Sequence, residues 1–566
     1  MLIIYQGNIM IKKKSMRSIL YIFLLFLLFL AGGCAGIANT ADKEVTQSKE
    51  KPPLIPQPVS VEWTQGEFSF NDDTSIYTVP EFEGIAVMMA EKFQRINNAP
   101  LSINTFSTPR VSNAIIVIQD YQMQDYGKEA YQLTVTPERI FIRAAEKKGA
   151  FYAFQTLRQM LPHDIERQDP VNISWEIPGV QILDYPRFTW RGYMLDSARH
   201  FQTIDEIKRI IDLLALHKIN RFHWHLIDDQ GWRMDIPQYP KLTEISAFRP
   251  NANAFLNYIP SDSADNYGGY YTHEEIHELV KYASQRNITI IPEIEMPGHT
   301  LSSLMAYPEL SCRGKEPGEL GETWIYKDVY CAGNEDTFTF LEDVLDIVFE
   351  LFPSPWIHVG GDEVPKDRWQ ECPKCQSRIE EEGLRDEEEL QSYFMRRMEE
   401  YLSKNGRQLI GWDDIMEGGL SDSAIVQTYR EPEFGINAAN MGNQVIFSTH
   451  LFVYFDYNHE GTPITKTYSF EPVTEDIHPD KVDNILGIEA CQWLGNVSRR
   501  YLENTGEIMP AQRIEYQTFP RLLAMSEVAW SPREARNWNN FQCRLRRYRT
   551  RLDRLGVNYY PVQQME

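Results

Sequence analysis

The chain is short of positive charge. Its 80 Asp and Glu outnumber its 56 Lys and Arg and give a formal net charge of −24. Because proteins bind nucleic acid through cations that neutralise phosphates, we expect no nucleic-acid partner. The 566 residues are 43% hydrophobic, which is ordinary for a globular protein with large buried cores.

A long apolar run is also missing. The stretch ILYIFLLFLLFLA, residues 19–31, is shorter than the ~20 residues that a membrane-spanning helix needs. The basic segment IKKKSMRS precedes it, and AGGC, ending at Cys34, follows it. This order predicts a lipoprotein signal peptide over residues 1–34 and an exported chain, anchored to a membrane by lipid on Cys34 and facing the periplasm or the cell surface. A signal-anchor helix is the alternative.

Residues 35–55 are polar and then proline-rich, and their pattern predicts a flexible tether. Residues 56–183 are predicted to form a small α+β domain. AIIVIQD and YQLTVTPERIFIRAA have the β-branched content of strands, whereas EGIAVMMAEKFQRINN and KKGAFYAFQTLRQML have helical spacing. This domain contains no acid cluster and no metal-ligand spacing, so we expect it to be a structural support.

Residues 184–566 alternate short apolar runs with amphipathic helical patterns and end in a helical segment. Eight runs are strand candidates: TWRGYML, RFHWHLID, ITIIPEIE, WIHVGGDE, QLIGWDD, AIVQTY, QVIFST and ILGIEACQW. They predict an α/β fold, a catalytic (β/α)8 barrel of the TIM type, in which chemistry sits at the carboxyl ends of the strands. The polar residues of these runs collect at those ends: Asp196, Asp228, Glu293, Glu295, Asp362, Glu363, Trp412 and Trp493.

The stretch IHVGGDEVPKDRW, residues 357–369, places two adjacent acids, Asp362 and Glu363, directly after two glycines. Glycine permits backbone angles and close approaches that other residues cannot adopt, so both side chains could point into the barrel mouth. One acid can protonate a leaving-group oxygen while its ionised neighbour balances positive charge, as in glycoside hydrolysis. Repulsion between two neighbouring carboxylates also raises the pKa of one of them, so that this group can act as an acid near neutral pH. Solvated or ion-paired structural acids are the alternative.

Five motifs occur in order along the barrel: WRGYMLDSARHF, FHWHLIDDQGWRMDIPQYPKL, GGYYTHEEI, IPEIEMPGHT and HVGGDE. Together they resemble the β-N-acetylhexosaminidases of glycoside hydrolase family 20, over residues 56–540. The resemblance implies exo-acting, retaining hydrolysis of terminal non-reducing β-linked GlcNAc or GalNAc, without a catalytic cofactor or metal ion. The substrate's 2-acetamido oxygen attacks the anomeric carbon and forms an oxazolinium ion, which water opens. The expected substrate is an N-glycan, mucin, glycosaminoglycan or chitin-derived oligosaccharide.

The resemblance also implies catalytic roles for individual residues. Glu363 is expected to be the general acid and then the general base. Asp362 would orient the acetamido N–H and stabilise the cationic intermediate, and Tyr454 would donate to the acetamido carbonyl oxygen. His299 and Asp196 would form a pair that supports the general acid.

The implied sugar-binding residues combine charged groups for hydroxyls with aromatic rings for the CH-rich faces of a pyranose. Arg191 is expected to clamp the hydroxyls at the non-reducing end, and Asp456 to bind further hydroxyls. Trp412, Tyr429 and Trp493 are the expected walls.

One position departs from the family. Relatives commonly carry Trp-x-Glu after the eighth strand, with a glutamate for the 4- and 6-hydroxyls, whereas this chain reads WLGNV and has Gly495 there. An enzyme specific for a 6-substituted, for example sulfated, GlcNAc is one alternative, with Arg499 and Arg500 nearby; solvated surface arginines are the simpler interpretation. Release of a disaccharide is another. An inactive glycan-binding lipoprotein is disfavoured because both acids and Tyr454 are present.

Six cysteines remain besides Cys34, and an exported protein could oxidise them. Cys312 and Cys331 flank a loop after the third barrel strand, and we expect them to form a disulfide. CPKC, with Cys372 and Cys375, could be a zinc or redox motif. Without a second CxxC or a nearby histidine pair, a disulfide or free thiols are favoured over a metal site.

Overall fold

The computed structural model describes residues 51–561 except 98–99, 106–110, 168, 170, 250–266, 318–324 and 422. The predicted signal peptide, with Cys34, and residues 35–50 of the predicted tether lie outside the described residues. Among the helices that are described, none is long and apolar enough to cross a membrane.

Ordered packing begins slightly before the predicted domain boundary. Leu54 and Ile55 are buried. The backbone amide of Ile55 donates to the Gln159 side chain at 2.9 Å, and the Gln159 amide donates back to the Ile55 carbonyl at 2.8 Å. The last residues assigned to the tether therefore belong to the folded protein.

Within the described residues, a seven-stranded sheet forms the first domain. Its strands are β1 (Ser60–Ser69), β2 (Ser75–Thr78), β3 (Ser102–Thr105), β4 (Ala114–Gln119), β5 (Tyr131–Val135), β6 (Arg139–Ala144) and β7 (Glu176–Asp184). Their order is β1-β7-β5-β6-β4-β2-β3. Buried residues alternate with half-buried ones along β5 and β6, so one face of the sheet is covered. The helices of this domain are α1 (Glu83–Asn97) and α2 (Lys147–Met160), and the predicted α+β domain is confirmed.

The strands of the second domain include the barrel. They are β8 (Trp190–Asp196), β9 (Arg221–His225), β10 (Ile227–Asp228), β11 (Gly231–Trp232), β12 (Phe248–Arg249), β13 (Tyr267–Gly268), β14 (Thr289–Glu293), β15 (Trp356–His358), β16 (Gln408–Trp412), β17 (Ile425–Thr428), β18 (Val445–Phe447) and β19 (Ile485–Gln492). β10 pairs with β11 and β12 with β13, while the other eight close a parallel barrel in the order β8-β9-β14-β15-β16-β17-β18-β19. These eight lie in the eight predicted segments, which confirms the barrel.

Helices surround these strands. Those described are α3 (Ile204–Leu216), α4 (Lys241–Glu244), α5 (His273–Gln285), α6 (Leu301–Ala306), α7 (Glu335–Leu351), α8 (Asp367–Glu371), α9 (Pro373–Glu382), α10 (Glu387–Lys404), α11 (Pro432–Met441), α12 (His450–Val453), α13 (Ile464–Ser469), α14 (Gly495–Thr505), α15 (Gln512–Thr518), α16 (Arg521–Trp530) and α17 (Trp538–Arg554). Short 3₁₀ turns occupy Pro80–Phe82, Tyr121–Tyr126, His163–Glu166, Pro308–Leu310, Asp413–Met416, Pro479–Asn484 and Arg533–Ala535.

Helix α3 shows how the local sequence sets these elements. Thr203 and Glu206 form a capping box that satisfies backbone amides at its start. Ile207, Ile211 and Leu214, spaced by four and three residues, are buried on one face. The helix therefore begins at a polar signal and packs through an apolar stripe.

The strand register gathers charged residues into one layer of the barrel. Asp196 pairs with His225, which lies beside Glu293. Glu293 in turn lies beside His358. Nearer the amino ends of the strands, the interior is apolar and contains Trp190, Ile291, Ile410, Ile425 and Ile446. The barrel interior thus changes from apolar to charged towards the carboxyl ends of its strands.

Buried ion pairs join the first domain to the amino end of the barrel. Arg191, the second residue of β8, is fully buried, and its Nη2 lies 2.8 Å from Glu129 Oε2. Its Nε and Nη1 donate to the carbonyls of Lys218 and Phe188, both at 2.7 Å. Lys218 Nζ lies 2.6 Å from Asp184 Oδ2. Because removal of one partner leaves a buried charge unpaired, these contacts fix how the two domains join.

Candidate active site

A cavity of about 230 Å³ opens at the carboxyl ends of the barrel strands. Nine of the ten predicted site residues line it, and Arg191 does not. The lining residues are Asp196, Arg199, His299, Asp362, Glu363, Trp412, Tyr429, Tyr454, Asp456, Tyr457, Trp493, Gly495 and Asn496. The sequence therefore located the cavity correctly.

The turn after β15 aims both acids into this cavity. Gly360 and Gly361 adopt left-handed φ angles of 67° and 93°. A Cβ at Gly360 would lie 1.7 Å from Glu295 Oε2, so only glycine fits there. Glu363 itself has φ +48°, which is uncommon for a residue with a side chain and costs ~1–3 kcal/mol. The expected role of the two glycines is confirmed, and the strain extends to Glu363.

The two acids differ in burial. The side chain of Asp362 is 13% exposed, whereas that of Glu363 is 39% exposed. Burial raises the pKa of Asp362 to about 8; the charge of His299 opposes this rise and that of Glu363 adds to it. The prediction that one acid of the pair has a raised pKa is thus confirmed. The raised pKa belongs to Asp362, the more buried of the two acids.

His299 connects the acid pair to the barrel interior. Its Nε2 lies 3.4 Å from Glu363 Oε2 and 3.6 Å from Asp362 Oδ2. Its Nδ1 lies 3.0 Å from Asp229 Oδ2 and 3.4 Å from Asp228 Oδ1. Burial opposes a charge on the ring, but the carboxylate of Asp228 outweighs it and raises the pKa of His299 well above its usual range. A positively charged imidazole therefore stands between two pairs of carboxylates.

The expected pairing of His299 with Asp196 is wrong, and the partner is Asp229. Asp196 instead accepts backbone amides from Arg199 at 2.9 Å and from Leu494 at 3.0 Å. Asp196 ends β8 and Asp229 lies four residues after β9, so both are near the carboxyl ends of barrel strands and position along the chain does not distinguish them. Only the packing of the loop that carries His299 distinguishes the two aspartates.

The assignment of Arg191 as the sugar-clamping arginine is also wrong, because this residue lies at the amino end of the barrel. Arg199 occupies the cavity instead. Its Nη2 lies 2.7 Å from Asp228 Oδ2, and its guanidinium carbon lies 5.0 Å from the ring centroid of Trp493. Arg199 comes three residues after the end of β8, whereas Arg191 is its second residue. The rule that chemistry sits at strand ends would have favoured Arg199.

Aromatic rings form the cavity walls, as expected. The ring centroid of Trp412 lies 5.7 Å from that of Tyr429 and 5.9 Å from that of Trp493. Trp412 is fixed because its Nε1 donates to Glu293 Oε1 at 2.9 Å. Tyr454 packs in the same cluster. Flat apolar faces with hydroxyls between them suit the two kinds of surface that a sugar presents.

Asp456 supplies a second polar face. It is buried, and its Oδ1 has no hydrogen-bond partner among the described residues. Burial raises its pKa to about 7.

Gly495 and Asn496 line the cavity, but neither Arg499 nor Arg500 does. Arg499 donates to Asn496 Oδ1 and Arg500 to the Asp456 carbonyl, both at 3.2 Å.

Several groups have donors suitable for a metal ion. Those in the barrel, such as His223, Glu293 and His358, contact one another directly. The remaining group consists of four cysteines: Cys312, Cys331, Cys372 and Cys375. The expected disulfide between the first two is not formed, because all four sulfurs converge on one point and all four residues are thiols. In the sequence the pair Cys312 and Cys331 and the pair Cys372 and Cys375 are separate, and the fold brings the two pairs together.

Comparison with known proteins identifies the family. The model described as the catalytic domain of glycosyl hydrolase family 20 matches residues 188–533, and that described as domain 2 of the same family matches residues 51–185. The first match covers more than half of the chain and includes every residue that lines the cavity.

Two similar proteins of known name are both β-hexosaminidases. A β-hexosaminidase of Porphyromonas gingivalis is 38% identical over 520 residues, which are 90% of this chain and 64% of that protein. The chain thus spans slightly less than two thirds of that relative's length. A β-hexosaminidase of Vibrio furnissii is 33% identical over 489 residues, covering 84% of this chain and 76% of the relative.

Solved structures share the fold. A family 20 exo-β-N-acetylglucosaminidase from Vibrio harveyi, in complex with N-acetylglucosamine, matches with a TM-score of 0.79 and 32% identity, covering 90% of this chain and 78% of that one. The β-N-acetylhexosaminidase of Bacteroides fragilis matches with a TM-score of 0.75 and 30% identity, covering 90% and 97%. By its two matched domains and its cavity, the chain belongs to glycosyl hydrolase family 20.

Proposed function

We propose that the chain is an exo-acting β-N-acetylhexosaminidase that releases terminal, non-reducing β-linked GlcNAc or GalNAc from glycans. The observation that carries this proposal is the pair Asp362 and Glu363, held on left-handed backbone in a cavity walled by aromatic rings. The names of the relatives and the N-acetylglucosamine bound by the Vibrio harveyi enzyme support it. A protein that only binds glycans would have no need of a strained acid pair.

The first chemical step uses the substrate as its own nucleophile. Glu363 gives its proton to the leaving-group oxygen as the bond from the anomeric carbon to that oxygen breaks. The 2-acetamido oxygen bonds to the same carbon and forms an oxazolinium ion. Asp362 accepts the acetamido N–H and balances the positive charge, while the Tyr454 hydroxyl donates to the acetamido oxygen. In the second step Glu363 takes a proton from the water that opens the ring, so configuration is retained.

The acid pair shares one proton near neutral pH. In the free site the raised pKa of Asp362, about 8, keeps the proton on this buried carboxyl. A substrate N–H and a developing cation favour the ionised form of Asp362, so the proton moves to Glu363, where the leaving group needs it. His299, with its raised pKa, stays charged and limits the cost of the negative charge left behind.

Arg199 and Asp456 recognise the hydroxyls at the non-reducing end in this proposal. Arg199 lines the cavity, with its guanidinium held by Asp228 and Gln230 and lying against Trp493. The unpartnered Oδ1 of Asp456 accepts from a hydroxyl. Recognition of these hydroxyls, which are free only on a terminal sugar, would account for exo action.

Export and a lipid anchor at Cys34 are part of the same proposal. The basic segment, the apolar run and AGGC support it. In a host that processes lipoproteins, the wild-type chain should incorporate a labelled fatty acid, whereas a Cys34→Ala variant should not, because Cys34 is the residue that carries the lipid. A Cys543→Ala variant, altered at an exposed cysteine in α17, should be labelled like the wild type. Labelling of Cys34→Ala would contradict the anchor.

Replacing Glu363 by Gln tests the proposed activity. We expect turnover of unactivated N,N′-diacetylchitobiose to fall by about 10²–10⁴-fold, the usual contribution of general acid catalysis. Hydrolysis of a dinitrophenyl GlcNAc should fall much less in its first step, because that leaving group needs little protonation. Glu278→Gln, on the outer face of α5 and 61% exposed, is the matched control and should change neither rate. Intact turnover of chitobiose by Glu363→Gln would disprove the assignment.

Two arginine variants separate sugar binding from folding. Arg199→Met should lower kcat/KM by about 10–150-fold, equivalent to the ~1.5–3 kcal/mol of a hydrogen bond to a charged group, with a large rise in KM. Arg191→Met should leave kcat/KM of the folded protein within about 2-fold but lower the free energy of unfolding by ~3–5 kcal/mol, since it breaks a buried ion pair. Steady-state kinetics and urea denaturation measure both. A selective loss of sugar affinity in Arg191→Met would restore the original assignment.

A further inference from the structure

Four cysteines from two loops meet at one point beside the active site. The Sγ atoms of Cys312 and Cys375, of Cys331 and Cys372, and of Cys331 and Cys375 each lie 3.7 Å apart. All four sulfurs lie within 4.8 Å of one another. Three of the residues are buried, and Cys312 is half-buried.

These distances match a tetrahedral metal site. A disulfide requires its sulfurs ~2.05 Å apart, so none of the three measured pairs is bonded. A zinc–thiolate bond of ~2.3 Å makes the edge of a regular tetrahedron of sulfurs ~3.8 Å. The three measured edges therefore agree with four thiolates around a single ion, and they link all four residues.

The local backbone favours thiolates at this point. Cys372 is the N-cap of α9, Pro373 opens the helix, and Cys375 lies in its first turn. The unpaired amides and positive dipole at a helix N-terminus lower the cost of a negatively charged sulfur. The CPKC motif thus presents two sulfurs from a single turn, and the other two come from the neighbouring loop.

Close backbone contacts press the two loops together. A Cβ at Gly333 would lie 2.2 Å from the carbonyl carbon of Lys374, so this approach depends on glycine. The Cys331 amide donates to the Leu310 carbonyl at 2.9 Å, and the Lys374 side chain donates to Asn334 Oδ1 at 3.2 Å. The four sulfurs are consequently held in place by their own segments.

We propose that Cys312, Cys331, Cys372 and Cys375 bind one Zn²⁺ ion. Four protein thiolates complete a tetrahedron and leave no position for water or substrate, so the ion is structural. Soft sulfur ligands without any carboxylate favour zinc over Ca²⁺ or Mg²⁺.

The position of the ion gives it a consequence for the active site. Cys312 and Cys331 lie in the loop after β14, which carries His299, and the CPKC motif lies in the segment after β15, which carries the acid pair. Zinc would therefore cross-link the two loops whose side chains meet at Glu363. The Tyr330 amide, next to Cys331, donates to the Pro297 carbonyl at 3.0 Å, two residues before His299.

Metal analysis of the full-length protein, purified without chelator, tests the proposal. We expect about one zinc per chain by plasma mass spectrometry, and X-ray absorption at the zinc edge should show four sulfurs at ~2.3 Å. Alkylation under non-reducing conditions, followed by peptide mass spectrometry, should find no disulfide among these four residues. None of these three measurements requires a variant to fold.

Variants then identify the ligands. Cys331→Ser and Cys375→Ser should lower the zinc content at least 5-fold, whereas Cys543→Ser, in the distant helix α17, should retain the full content. Disulfide-linked peptides from these cysteines, nitrogen or oxygen neighbours at the zinc edge, or stoichiometric iron in place of zinc would each overturn the proposal. These outcomes do not depend on whether the chain hydrolyses hexosaminides.

Discussion

The site depends on the contacts of one buried carboxylate, that of Glu293, at the centre of the barrel. Its two oxygens meet four ring nitrogens, those of Trp412, His223, His225 and His358. Burial opposes a charge on His225, but the coulombic attraction of Glu293 prevails and raises the pKa of His225 to about 10. A buried charge is stable only when it is paired and hydrogen-bonded. The strand register that brings these residues into one layer therefore also fixes the positions of their rings.

From this centre, a line of charged contacts runs to the reacting groups. His225 Nε2 lies 2.8 Å from Asp228 Oδ2, which is also 2.7 Å from Arg199 Nη2. Asp228 Oδ1 lies 3.4 Å from His299 Nδ1, and His299 Nε2 lies 3.4 Å from Glu363 Oε2. Both His299 and Glu363 have left-handed backbone. Such strain persists only where the surroundings over-determine it, and this network supplies that constraint.

The sequence predicted the barrel because each buried strand is a short apolar run that ends at a polar residue, a pattern that local periodicity reveals. It also predicted the acid pair, because two glycines before two acids are a local signal. It failed where the answer depends on packing between loops. The sequence assigns the sugar clamp to Arg191, the second residue of β8, whereas Arg199 lines the cavity. The partner of His299 is Asp229 and not the expected Asp196. The two cysteine pairs carry no local sign that their loops meet.

In the proposed mechanism the acid pair shares one proton, which the buried network stabilises. The most direct measurement is the pH dependence of kcat/KM for an unactivated disaccharide, since this parameter reports the free enzyme. Asp362, with a pKa raised to about 8, is protonated below that pH. Above it Asp362 has lost this proton, none remains to be passed to the leaving group, and kcat/KM should fall. In Asp362→Asn the carboxyl that holds this proton is gone, so the alkaline limb near pH 8 should disappear from its wild-type position. A limb that stays in place in this variant, or a wild-type profile that remains flat beyond pH 9, would contradict the account.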